Sequence, residues 1–141
     1  MLIKQISVFV ENKPGRMAAI LEVLADNGID ISALSIADTT DFGVLRMIVS
    51  DSTLAKKVLN EAGVVVKITD VIAVSMEDKP GGLVAIMDTI NDGVTTVEYM
   101  YAFVGRSKTG AMVVIKANFP DKAIELLEKA GFKTAAEEDI I

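Results

Sequence analysis

Two stretches decide the reading: Glu11-Asn12-Lys13-Pro14-Gly15-Arg16-Met17 and Glu77-Asp78-Lys79-Pro80-Gly81-Gly82-Leu83. Each follows a short run of alternating polarity, Ile6, Val8, Val10 or Ile72, Val74, Met76, and precedes apolar residues at helical spacing. Each therefore predicts a strand, a tight turn and a helix start. Proline fixes φ and biases the residue before it away from helix, while glycine lets the backbone come close to a neighbour. The first amides of the helix are then left without intrahelical partners and carry the positive end of its dipole. A carboxylate or other small anion fits such a place.

The two stretches lie 66 residues apart, and their surroundings keep that spacing: Met17, Ile20, Leu21 and Leu24 map onto Leu83, Ile86, Met87 and Ile90. A repeat of this length organises the chain before any fold is considered. Both helices are expected to stop at a glycine, in Asp26-Asn27-Gly28 and in Asn91-Asp92-Gly93. In the first half a strand over 29–37 follows, then a turn at Asp38-Thr39-Thr40-Asp41 and a strand over 43–49. A second helix opens at Asp51-Ser52 and closes at Gly63, before a fourth strand over 64–68. The second half repeats the order with strands over 94–104 and 111–117, a turn over 105–109, a helix from Pro120 with Asn118 as candidate cap, and a last strand over 132–136. Each half is a βαββαβ unit, an α+β fold with two helices on one face of a four-stranded antiparallel sheet. The boundary falls at Thr69-Asp70 with almost no linker, giving units 1–69 and 70–141. A unit of about 65 residues buries only about 60% of its unfolded surface, so the two should dock. Pairing the second-strand edges into one eight-stranded sheet would leave fewer edges open.

Composition removes many functions. The 141 residues contain neither cysteine nor histidine, which excludes thiolate chemistry and the commonest general base and metal ligand. No metal or cofactor is expected. The net charge of −6 opposes nucleic acid and anionic membrane. There is no apolar run of membrane-spanning length and no h-region at Met1-Leu2-Ile3-Lys4-Gln5, so a soluble, cytoplasmic protein is expected.

The strand leading into Asn12-Lys13-Pro14-Gly15-Arg16, the helix, and then Gly28-Ile29-Asp30-Ile31 before the second strand resemble an ACT domain; Asp78-Lys79-Pro80-Gly81-Gly82 repeats the pattern. The whole chain thus resembles a tandem pair of ferredoxin-like ACT units without a catalytic domain. The resemblance implies a regulatory module that binds a free amino acid between two units, using the first loop of one and the second strand of its neighbour. One expected site joins Asn12, Lys13, Pro14, Gly15, Arg16 and Met17 to Thr96, Val97, Glu98 and Tyr99. Amides of Gly15, Arg16 and Met17 would hold the carboxylate and Glu98 with Thr96 the ammonium. The other joins Asp78, Pro80, Gly81, Gly82 and Leu83 to Asp30, Ile31 and Ser32. There Asp78 replaces Asn12 and Gly82 replaces Arg16, so unequal affinities are expected. In the second half one extra residue follows Gly93, and alignment returns with Thr96 opposite Asp30, Val97 opposite Ile31 and Glu98 opposite Ser32.

Against each site stands a plain turn, a solvated Arg16 and a solvated Glu98 on an edge strand. Tyr99, Tyr101 and Phe103 read as core or interface aromatics, Met47, Met76, Met87, Met100 and Met112 as core fillers, and Glu137-Glu138-Asp139 as a solvated end. An RNA-recognition domain shares the strand order, but 43–49 and 111–116 carry no stacking aromatics. An acylphosphatase-like enzyme using Arg16 and Asn12 lacks convergent titratable groups. The remaining alternative is a regulatory subunit that docks on an enzyme of amino-acid metabolism through the sheet face opposite the helices, or that pairs as a homodimer.

Overall fold

A computed structural model describes residues 1–38, 41–103 and 110–140. The expected turns at 38–41 and 105–109, and the end of the strand at Val104, fall wholly or partly outside them. The chain divides into two compact units, one over Lys4–Thr69 and the other over Met1–Ile3 with Asp70–Ile140.

The first unit runs β1 (Ile3–Glu11), α1 (Arg16–Asp26), β2 (Ile31–Asp38), β3 (Phe42–Val49), α2 (Ser52–Glu61) and the start of β4 (Val66–Met76). Its strands lie in the order β2-β3-β1-β4, and β1 and β2 both pair antiparallel to β3. Period-two alternation sends Ile6, Val8, Val10, Leu45, Met47 and Val49 to one face, where they bury Ile20 and Leu24 of α1 and Ala55 and Leu59 of α2. Met17 and Leu21 complete that face of α1. Asp51 caps α2 by accepting the Leu54 amide at 2.9 Å.

The second unit takes the rest of β4, then α3 (Gly82–Ile90), β5 (Val97–Ala102), β6 (Ala111–Ala117), α4 (Pro120–Lys129) and α5 (Glu137–Ile140), with strand order β4-β6-β5. Ile72, Val74, Val113 and Ile115 cover Ile86, Ile90 and Leu127, with Met76, Met87 and Met100 packed against them. Gly28 ends α1 at φ 69° just past its cap, as the sequence implies, whereas α3 stops at Ile90 with Asn91 at the cap position and Gly93, φ 84°, turns the chain two residues further on. Leu83 departs from the repeat: unlike Met17 it stays exposed.

The structure corrects several expectations. The fourth strand of the first unit and the first of the second are one strand of 11 residues: Thr69-Asp70 carries neither glycine nor proline, and the backbone stays extended through it. The expected eight-stranded sheet joined at the second strands is not formed. The sheet has six strands, and among the described residues β2 pairs with β3 alone and β5 with β6 alone. The last strand shrinks to a single bridge, Val74 to Thr134, flanked by Ser75 N–H to Lys133 O and Ala135 N–H to Ala73 O. The acidic tail winds into the short helix α5, where carboxylates suit a helix start. Asn118 does not cap α4. Its side chain instead accepts the Thr96 amide at 2.7 Å and donates to Val94 O at 3.1 Å, leaving exposed Phe119 at the cap position.

Tyr99 and Tyr101 align with Lys116 and Val114, on the face away from the helix-side core, and are half-buried. On that same face Gln5, Ser7, Ala33, Ile48, Val71, Ala73 and Val114 are buried.

Candidate functional site

The two proline-glycine turns fold alike. In the first, the Lys13 amide donates to Glu11 O at 2.8 Å, the Arg16 amide to Lys13 O at 3.3 Å and the Ala19 amide to Gly15 O at 3.0 Å. The second repeats these bonds: Lys79 to Glu77 O at 3.0 Å, Gly82 to Lys79 O at 3.0 Å and Ala85 to Gly81 O at 3.2 Å. Gly15 and Gly81 sit at the helix cap position with φ 81° and 89°, a left-handed conformation that costs glycine nothing. Neither helix start has a side-chain cap. Among the described residues the amides of Gly15 and Met17, and of Gly81 and Leu83, meet no protein acceptor. The Arg16 amide, expected to be a free donor, is consumed by the turn.

Charge gathers beside each turn. Lys13 pairs with Glu11 at 3.0 Å and Lys79 with Glu77 at 2.6 Å, both on the surface. Hydrogen bonding to Lys13, then the charges of Lys13 and Arg16, hold the Glu11 carboxyl below the usual range. Lys79 is held above its usual value, first by hydrogen bonding to Glu77 and then by its charge. Arg16 is exposed and makes no ion pair among the described residues. Asn12 and Asp78 are exposed, and the Asn12 amide donates to Asp41 O at 3.1 Å. Gly82 is buried, and a Cβ there would overlap the carbonyl oxygen of Glu77 and reach the Met76 methyl at 3.0 Å.

The second-strand residues also repeat. Asp30 and Ser50 clamp the ends of β2 and β3: the Asp30 amide donates to Ser50 Oγ and the Ser50 amide to Asp30 O, both at 2.9 Å. Thr96 and Asn118 do the same in the second unit, the Asn118 amide reaching Thr96 O at 3.1 Å. The extra residue after Gly93 is absorbed by Val94, which stays exposed while Thr95 is buried. Asp92 folds that turn by accepting the amides of Thr95 at 2.6 Å and Val94 at 2.8 Å, bonds that hold its carboxyl below the usual range.

Sequence reasoning missed one feature. The pairing register slips between Ile31 and Ala33 in β2 and between Val97 and Tyr99 in β5. Ser32 and Glu98 are thus bulge residues at the same place in the two repeats, on strands that among the described residues pair on one side only. Bulges concentrate at such edges and beside functional sites, where they re-aim a side chain. Period-two alternation is blind to a single inserted residue, so only the pairing reveals it. Glu98 already meets Lys116 at 3.4 Å, while Lys116 donates to Ala117 O at 3.1 Å.

Within a unit the two halves of a site do not meet. The first turn leaves β1 where Glu11 pairs with Phe42, whereas Ile31 pairs with Val49 at the far end of β3, about 24 Å away at 3.4 Å per residue. Met76 opposite Ala111 and Val97 opposite Ala117 mark a similar separation along β6, about 20 Å. Among the described residues no cluster of acidic side chains is grouped as a metal ion requires.

A family model described as an ACT domain pair matches residues 1–141. The chain belongs to the ACT domain pair family. Protein BT0572 from Bacteroides thetaiotaomicron is similar at 41% identity, over 99% of this ACT pair and 96% of that chain, with a TM-score of 0.92. The ligand-free regulatory subunit of aspartate kinase from Thermus thermophilus shares the fold at 16% identity, with 93% and 95% of the two chains covered and a TM-score of 0.64. Escherichia coli aspartokinase III in complex with lysine and aspartate shares it at 12% identity over 92% of this chain and 31% of its own, with a TM-score of 0.52. No curated protein matches the chain.

Proposed function

We propose that this ACT pair, with units 1–69 and 70–141, is a non-catalytic cytoplasmic regulatory protein that binds a free amino acid where the first turn of one unit meets the second strand of another. The single observation that carries this reading is the double repetition of a turn with bare amides and a bulged second strand, held apart at opposite ends of each unit's sheet. Neither half alone can hold a zwitterion, and a second unit supplies the missing half. Gly15 and Met17 amides with Arg16 serve the carboxylate, and Thr96 with the bulged Glu98 serves the ammonium. Glu98 must exchange Lys116 for the ligand, a small cost for a half-exposed pair. In the other site Gly81 and Leu83 amides face Asp30 and Ser32 without an arginine, so it binds more weakly. The neighbouring unit comes from this chain or from a second copy.

The aspartate kinase regulatory subunit of the same fold supports a role in controlling an enzyme of amino-acid metabolism. A thermal-shift screen against the twenty amino acids checks the reading. One amino acid, at a hundred times its dissociation constant, should stabilise the fold by about 2.7 kcal/mol. Arg16→Gln should weaken that ligand about tenfold, as loss of one charged hydrogen bond implies. A flat screen, or two equal sites by calorimetry, contradicts it.

A further inference from the structure

Each unit has a cleft on the flank of its first strand, and the two clefts are copies. In the first unit the Phe9 amide donates to Val65 O, and in the second the Ser75 amide donates to Lys133 O. Beyond these bonds the neighbouring strand has not begun, and the end of the first strand borders a hollow, which in the first unit is roofed by Ala19, Ile20 and Val23 of α1. The hollow is about 300 Å³ in the first unit and about 450 Å³ in the second. Amides two residues apart along a strand point to the same side, so the Glu11 amide points into the first hollow. It meets no acceptor among the described residues.

The linings differ. The first cleft is walled by Phe9, Val23, Phe42 and Val65, with Arg16 at its lip. Phe9, Phe42 and Val65 are 51%, 52% and 65% exposed, an apolar cluster left to water. Glu11 pairs with Lys13, and Arg16, whose charge also acts on Glu11, forms no ion pair of its own among the described residues. In the second cleft Ser75 stands for Phe9 and Lys133 for Val65, so polar side chains replace two of the apolar ones; Met76, Ala130 and Phe132 still line it, and no arginine does.

We propose that the first unit holds a small-molecule site of its own in this cleft, for a carboxylate with a short branched or aromatic apolar tail. The tail lies against Phe9, Val23, Phe42 and Val65, and the carboxylate accepts from the Glu11 amide and the Arg16 guanidinium. The volume is at the small end of ligand pockets and suits a metabolite rather than a peptide. The free amides of Gly15 and Met17 lie outside the lining, so this site is separate from the turn site, although Arg16 stands between them. The second unit, with Ser75 and Lys133 in its lining and no arginine, does not take the same ligand.

Titrating the isotope-labelled full chain by NMR with 4-methylpentanoate, L-leucine and acetate tests this. Saturable shifts at the amides of Glu11, Val23 and Val65 are expected with 4-methylpentanoate or leucine, and none with acetate, which has no tail. If both ligands act, a carboxylate suffices; if leucine acts alone, the ligand is a free amino acid. Val65→Glu sets a carboxylate against the ligand at an exposed position and should weaken binding at least about tenfold, with the spectrum otherwise preserved. Unmoved cleft amides at millimolar ligand, or unchanged affinity in Val65→Glu, overturn the proposal. Shifts confined to Gly15 and Met17 also overturn it, while supporting the turn site.

Discussion

Arg16 and Gly82 hold the same place in the two repeats, and the difference between them is steric before it is electrostatic. The Glu77 carbonyl occupies the space a side chain would need at Gly82, and the Met76 methyl closes in behind it. The second turn thus cannot carry an arginine without rearranging its own backbone. Gly82→Ala should destabilise the protein by about 1–3 kcal/mol, read as a lower urea midpoint at unchanged slope. The sequence shows the Arg-to-Gly exchange plainly. It does not show that glycine is required there, because close approach of two backbones is a distance between atoms five residues apart in the chain.

The helices that open the second halves of the repeats differ in their caps. Asp51 accepts the Leu54 amide, whereas Phe119 offers α4 no acceptor and leaves its ring half in water. Asn118, one residue earlier, is engaged with Thr96 and Val94 and cannot turn back to the helix. Phe119→Asp should restore the cap of the first repeat and stabilise the protein by about 0.5–2 kcal/mol, measurable as a higher urea midpoint. Asn118 is a sound cap candidate on composition alone. What overrules it is the second-strand clamp, formed with a residue 22 positions away. The bulges at Ser32 and Glu98 belong to this scale too, since each exists only as a slip between two strands.

At the scale of the whole molecule, β4 is the element both units depend on. Its first half closes the sheet of the first unit and its second half founds the sheet of the second. Cutting at Thr69 therefore leaves each unit with a shortened strand end and a core of only about 65 residues, near the lower limit for independent folding. The isolated 1–69 fragment should melt at least about 10 °C below the full chain by circular dichroism, and an equal melting point would deny β4 that role. The sequence by itself determined the duplication, from self-similarity at a 66-residue offset, and the order of elements, the helix faces, a glycine stop and the turn with its exposed amides, because each of these follows from spacing within about ten residues. Only the tertiary structure decided that the linker is a strand, that the second strands are bulged, that the Arg16 amide is spent, and that the two flank clefts differ in lining, Ser75 and Lys133 standing where Phe9 and Val65 do. Those depend on which backbone groups meet across the sheet, and hydrogen-bond partners distant in the chain leave no mark on local periodicity.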